Sequence, residues 1–306
     1  MPGWMTVWLR NALVWRKLWI ASLVGNFGDP FLYLLGIGYG LGAFVGDIGD
    51  MPYLAFFASG LVCSSAMNTA TFEGLYSAFT RMTLQRTWDG ILATPLRVHD
   101  IVIGEVLWAG TKSLISASII VLVAGLLGAV QGWAIFVAIP FIFVTGLTFG
   151  AMALLVTALS PSYDFFLYYF TLLVTPMFLF GGVFFPVESL PAAVQWAVMV
   201  LPLVHAVDIV RPLLTGQPVA QLGLHLGILL GNFGICLGLS VWLVRRGLTV
   251  HGARVAVFLM CGAITALGTV AILLPPDFGT VQIGEVLPSL VRLFPRLDVT
   301  IRNAPL

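Results

Sequence analysis

Six long apolar stretches follow one another along this chain, at roughly 24–44, 53–78, 105–128, 133–158, 164–185 and 219–244. Each is near the ~20 residues that carry a helix across a hydrocarbon core. Of the 306 residues 59% are hydrophobic and only 9% charged, and the mean hydropathy is +1.04. A soluble domain carries about a quarter charged residues. A chain this poor in charge cannot cover a water-facing surface, so the bilayer is its main solvent. The expected fold is an all-α integral membrane protein with six transmembrane helices. A net charge of +1 gives no polyanion-binding signal and argues against a nucleic-acid partner. Cys63, Cys236 and Cys261 are scattered with no CxxC pair, and His99, His205, His225 and His251 are equally dispersed. Neither a disulfide framework nor a metal site is expected from them.

Residues 4–20 read as an N-terminal amphipathic helix lying in the membrane interface. Trp4, Trp8, Trp15 and Trp19 recur on one arc, while Arg10, Arg16 and Lys17 lie off it. Trp prefers the headgroup layer and the cations prefer an anionic leaflet. No apolar core followed by a small-residue cleavage site marks a signal peptide here. Arg10, Arg16 and Lys17 before the first span, Arg81, Arg86 and Arg97 between the second and third, and Arg245, Arg246 and Arg254 after the sixth put the N-terminus and these loops in the cytoplasm. Arg211 runs against that pattern, and the 159–163 connection carries no basic residue. The first outer loop, 45–52, has Asp47 and Asp50 only, and Gln131-Gly132 reads as a tight turn. Pro176, Gly181, Gly182, Pro186, Pro191, Pro202 and Pro212 break the region 176–218 into short pieces. Irregular backbone at membrane depth has to be buried in protein or line a wet cavity. Residues 186–200 therefore read as one or two short re-entrant or interfacial helices before the sixth span, with Pro186, Glu188 and Pro191 marking the segment and Pro191 suited to a first helical turn. A seventh apolar run, 255–274, stops at Pro275-Pro276.

Gly36/Gly40, Gly38/Gly42 and Gly146/Gly150 each have GxxxG spacing, which suits close helix packing within the chain or between two copies. Chemistry is sparse. The string from Gly104 to Ser113 is not a P-loop, because Thr111 separates Gly110 from Lys112 and no strand precedes it. ATP hydrolysis, if any, belongs to another chain. Ser162-Tyr163-Asp164 and His205 with Asp208 make no convincing nucleophile–base set. Glu73 and Lys112 are charges well inside apolar runs, each costing roughly 2.5–3.5 kcal/mol at the bilayer centre. Glu73 lies near the inner end of its span and Lys112 near the inner start of the next, so the two are expected to pair at similar depth. Residues 81–92 have helical character before Pro95 and form an exposed cytoplasmic handle for a soluble partner, or a plain solvated loop.

Thr87-Trp88-Asp89-Gly90-Ile91-Leu92-Ala93-Thr94-Pro95-Leu96, followed by 100–105, resembles the cytoplasmic loop of ABC transporter type-2 permeases. Residues 185–191 and then 201–212 resemble that family's outer-side signature. More narrowly, 23–30, 85–88 and 158–164 are similar to its nodulation branch, whose permeases export lipo-chitooligosaccharides. The resemblance spans about 5–250. It implies two permease chains paired with two copies of a separate ABC ATPase of the nodulation type, which holds ATP and Mg; this chain itself takes no cofactor. Arg81, Arg86, Thr87, Trp88, Asp89 and Gly90 then belong to the coupling loop that docks on the ATPase. A lipid-linked oligosaccharide is the substrate that the resemblance implies, with a drug or a polysaccharide as alternatives. A secondary transporter is a further alternative, although no inverted repeat is visible. Residues 1–250 form the transmembrane domain in this reading, and 251–306 an extension without a counterpart in the family. Arg292, Arg296 and Arg302 favour the inside for its tail, whereas a spanning 255–274 puts the tail outside.

Overall fold

A computed structural model describes residues 1–246 apart from 18, 21, 23–27, 29–30, 50 and 131–133. The run 255–274, the tail after it and the Gln131-Gly132 turn lie outside the described residues.

Every one of the six apolar stretches carries helix. Helix α1 is Gly3–Trp15, α2 is Phe31–Val45, and α3 is Tyr53–Phe72. The path of α3 continues through two wider π-helical turns, Glu73–Ser77 and Thr80–Leu84. A short helix α4, Thr87–Leu92, precedes α5, Val98–Leu126, and α6, Ala134–Leu159. Then come α7, Asp164–Phe180, the short α8, Ala192–Val198, then α9, Pro202–Thr215, and α10, Leu222–Arg245. By length and apolarity α5, α6 and α10 are long enough to cross a membrane, while α2 and α7 are shorter apolar helices. Ser59, Ser64, Ser65, Asn68, Thr69 and Thr71 make α3 more polar than those three. The loop 45–52 contains a minimal antiparallel pair, β1 (Asp47–Ile48) with β2 (Met51–Pro52), turned at Gly49 with φ +61°.

Local chemistry sets the helix ends. Pro95 keeps its predecessor out of helical geometry, and α5 starts three residues later. There the Arg97 N–H donates to Asp100 Oδ2 at 3.0 Å, an acid in the first turn where the helix dipole favours it. Helix α9 opens on Pro202 and closes at Gly216, whose φ is +73°.

Helices α3, α5 and α6 pack against one another, α9 and α10 pack on α6, and α1 lies along α5. Helix α3 is buried almost throughout, with Phe57, Val62, Met67 and Ala70 in the core. Two of the close approaches that need glycine bear on how α1 and α6 seat on α5. A Cβ on Gly146 would collide with the Ser113 side chain, so α6 reaches α5 only with glycine there. A Cβ on Gly104 would stand 2.6 Å from Val7 Cβ and 2.8 Å from the Trp4 carbonyl, which is how α1 seats on α5. Gly146/Gly150 is thus used inside the chain. Gly36 and Gly40 meet none of the described residues within 4 Å.

The tryptophan arc does not lie on lipid as a unit. Trp8 Nε1 donates to Thr111 Oγ1 at 3.0 Å, and Trp15 packs edge-on against Trp108, with ring centroids 6.0 Å apart. Trp4 and Trp19 stay exposed. The indoles that found protein partners are those facing α5.

Residues 186–200 form two short pieces: a 3-10 turn, Val187–Ser189, after Pro186, and α8 after Pro191. Pro191 sits at the position just before the helix rather than inside its first turn. Glu188 is exposed, and its carbonyl accepts from Gln195 Nε2 at 3.0 Å. Arg211, the residue that ran against the charge pattern, is spent internally. It donates to Ser59 Oγ at 3.1 Å and to the carbonyls of Phe56 and Gly182, and its guanidinium stacks 3.7 Å above the Phe56 ring. A cation held this way carries no topological information.

Candidate functional site

Two acids and two bases meet where the π-helical end of α3, the short α4, α1 and α5 converge. Glu73 Oε2 accepts from Lys112 Nζ at 2.9 Å. Glu73 Oε1 accepts from Arg81 Nη2 at 2.9 Å and Trp108 Nε1 at 3.0 Å. Arg81 turns its Nε to Glu105 Oε1 at 3.0 Å, and its Nη2 also reaches Glu105 Oε2. Trp88 Nε1 donates to Glu105 Oε1 at 3.3 Å, and Asn11 Nδ2 to Glu105 Oε2 at 3.1 Å. Both carboxylates are buried, and every carboxylate oxygen has a donor. Removing charge from water is costly unless it is paired and hydrogen-bonded, and here both conditions are met.

The local fold explains the convergence. Glu105, Trp108 and Lys112 recur at i, i+3 and i+7 along α5 and share a face. Glu73 and Arg81 both fall in the widened turns after α3, and π-helical insertions of this kind concentrate at functional sites. A cavity of about 330 Å³ opens beside the cluster, lined by Arg10, Trp15, Glu73, Arg81, Trp108 and Lys112 among others. With its acids saturated and its charges balanced, the cluster has no free base. It binds four elements into one body rather than catalysing a reaction.

Of the residues expected in the coupling loop, Arg86, Asp89 and Gly90 are exposed and Thr87 is half-buried. Arg81 and Trp88 are not on that surface. Arg81 is drawn in by two carboxylates. Trp88 is only 3% exposed, packed among Val7, Ile101, Val102 and Val106 with its N–H on Glu105. The structure brings Glu73 and Lys112 together. Sequence reasoning missed Glu105 and Arg81 as their partners, although the i, i+3, i+7 spacing on α5 held a signal. Arg86 has φ +48°, a left-handed turn that re-aims the chain into α4.

Near the start of α9, His205 meets His225, although the histidines are dispersed in sequence. Their Nδ1 atoms lie 2.8 Å apart. His205 faces this second imidazole, with Asp208 Oδ2 3.7 Å from His225 Nδ1. Tyr163, from the other loose catalytic set, shares a 2.7 Å hydrogen bond with Thr80 Oγ1 and packs in an aromatic cluster with Tyr76, Phe79 and Phe166.

Residues 3–215 match the ABC-2 type transporter family. Nodulation protein J of Rhizobium meliloti (strain 1021) is 44% identical over 246 residues, covering 80% of this chain and 94% of that protein. Nodulation protein J of Rhizobium leguminosarum bv. viciae is 46% identical over 246 residues, 80% and 95% of the two chains. Inner membrane transport permease YadH of Escherichia coli (strain K12) is 26% identical over 246 residues, 79% and 94% of the two.

Proposed function

The chain belongs to the ABC-2 type transporter family, and from that premise we propose that it is the membrane-spanning subunit of an ATP-driven exporter in a bacterial inner membrane. The coarser part of this is given by the family itself: the chain is a multi-pass transport permease rather than an enzyme. The observation that carries the finer reading is α4. It is a six-residue helix, entered at exposed Arg86, with Asp89 and Gly90 exposed and Trp88 buried and anchored to Glu105.

In this reading α4 is the coupling helix, and it docks on a separate ABC ATPase like nodulation protein I, which holds ATP and Mg. Two permease chains and two ATPases make the working unit. The N-terminus and α4 face the cytoplasm; with Arg81 neutralised internally, exposed Arg86 and Arg97 still support that orientation. ATPase closure pushes α4. Trp88 passes the push to Glu105, and through Arg81 and Glu73 to the ends of α3 and α5, which move as one body. An amphiphile, a lipid-linked oligosaccharide first, crosses between the two permeases, and the segment 186–200 shapes the outer exit. Identity of 44–46% to proteins named nodulation protein J supports the permease class, and the substrate class rests on the resemblance to the nodulation branch.

The test is co-purification with the candidate ATPase from membranes and ATPase activity of the complex in lipid. Arg86→Glu and Asp89→Lys, both at exposed positions, are expected to abolish binding or stimulation while leaving the permease folded. If no ATPase associates and transport persists without ATP, the exporter reading falls and a secondary transporter replaces it.

A further inference from the structure

His205 on α9 and His225 near the start of α10 are 20 residues apart in sequence and meet side by side. His205 Nε2 lies 2.8 Å from the Met199 carbonyl. A carbonyl only accepts, so this nitrogen carries the proton, and the neutral ring presents a lone pair at Nδ1. That lone pair faces His225 Nδ1, and Asp208 supplies a carboxylate oxygen to the same spot. The three atoms lie within 4.8 Å of one another. An imidazole whose second nitrogen is held by a backbone carbonyl is the arrangement that fixes a metal-ligating histidine in the right tautomer and orientation.

We propose that His205, Asp208 and His225 form a three-ligand site for a divalent ion of the zinc class, which clamps α9 to the start of α10. Two imidazoles and one carboxylate suit zinc, cobalt or nickel; calcium and magnesium want oxygen donors, and copper(I) wants sulfur. At zinc–ligand lengths of 2.0–2.1 Å, tetrahedral ligand atoms stand about 3.3 Å apart. The two histidines open by about half an ångström and the carboxylate closes on His225 Nδ1 by a similar amount, which side-chain rotation supplies. Asp208 has 41% of its side chain exposed, which leaves the ion an entry path and a solvent-filled fourth position. Through the Met199 carbonyl the clamp also reaches the end of α8. The metal-free alternative is a hydrogen bond from His225 Nδ1–H to His205 Nδ1.

The experiment uses the full chain, purified in detergent with an affinity tag free of histidine and stripped with a chelator. Zinc is titrated by equilibrium dialysis with elemental analysis, and cobalt is added in its place to read the visible absorption of a tetrahedral site. Wild type is expected to bind one zinc per chain and to unfold at a higher temperature with zinc than without, reversibly on chelation. His225→Gln and Asp208→Asn are expected to weaken binding at least tenfold and to lose the cobalt band and the thermal shift, with helix content and size unchanged. His225 and Asp208 are only partly buried, so these variants decide the question even if a change at buried His205 prevents folding. Absence of zinc binding in wild type, or binding in both variants equal to wild type, overturns the site and leaves the hydrogen-bonded histidine pair. No ATPase takes part, so the result stands apart from the transport reading.

Discussion

Glu73 accepts from Lys112, Arg81 and Trp108, whereas Arg81 is shared by both carboxylates. The two cations are therefore not equivalent. Arg81→Met leaves two buried acids with Lys112 as the one remaining cation of the cluster, and breaking such a pair costs roughly 3–5 kcal/mol. Lys112→Met leaves Glu73 with Arg81 and Trp108, a loss of about 1–3 kcal/mol. The expected order of unfolding midpoints in detergent is wild type, then Lys112→Met, then Arg81→Met. Adding Glu105→Gln to Arg81→Met is expected to recover at least about 1 kcal/mol against additivity. Strict additivity, or a harsher effect of Lys112→Met, breaks the picture of Arg81 as the hub. At this scale the sequence revealed what was out of place: Glu73 and Lys112 are charges inside apolar runs. Glu105 and Arg81 stand at run ends, where charge costs little and attracts no notice. His205 and His225 met only because a loop returned α10 to α9, and no local periodicity records that.

Helix α1 illustrates what periodicity shows and what it hides. The spacing of its tryptophans marks an amphipathic helix but not whether the apolar side meets lipid or protein. The decisive residue is on another element, Gly104 of α5. Gly104→Val places side-chain atoms where Val7 and the Trp4 backbone now sit, and overpacking of this kind costs about 1–3 kcal/mol. Unseating α1 relieves the clash without disturbing the helices beneath it, so the helix is expected to lift off while α3, α5 and α6 stay packed. Maleimide labelling of Val7→Cys reads this directly, because Val7 is 1% exposed in the native fold. Labelling is expected to be slow in the Val7→Cys background and at least tenfold faster once Gly104→Val is added. Equal rates mean that α1 does not depend on this contact. The same distinction governs α4: its helical character was legible, but which side faced inward depended on Glu105 and the apolar residues of α1 and α5.

For the molecule as a whole, the run of apolar stretches announced a helical membrane protein, and the proline-rich region announced short pieces before the last long helix. Helix partners were not legible, because GxxxG spacing serves packing within a chain and between chains alike. The structure sorts the three pairs. Gly146/Gly150 packs on α5; Gly38 and Gly42 face Leu54 and Tyr53 of α3; Gly36 and Gly40 meet nothing within 4 Å among the described residues. The open pair lies on α2 with exposed Tyr33 and Tyr39, and Tyr33 packs edge-on against Phe178 of the similarly short α7. A glycine face gains more than a leucine face from a second backbone, and α10 also carries open glycines, Gly223, Gly227, Gly231, Gly234 and Gly238, beside exposed Leu224, Leu230 and Leu239. If two copies join through α2, Gly36→Cys and Gly40→Cys, with Cys63, Cys236 and Cys261 replaced by alanine, are expected to give a disulfide-linked dimer in native membranes. Leu230→Cys on α10 is expected to stay monomeric under the same oxidant. Gly40→Leu is expected to lower the dimer fraction severalfold, by mass in detergent, without loss of helix. Cross-linking through Leu230 and not through α2 would move the interface to α10, and with it the path along which the substrate passes.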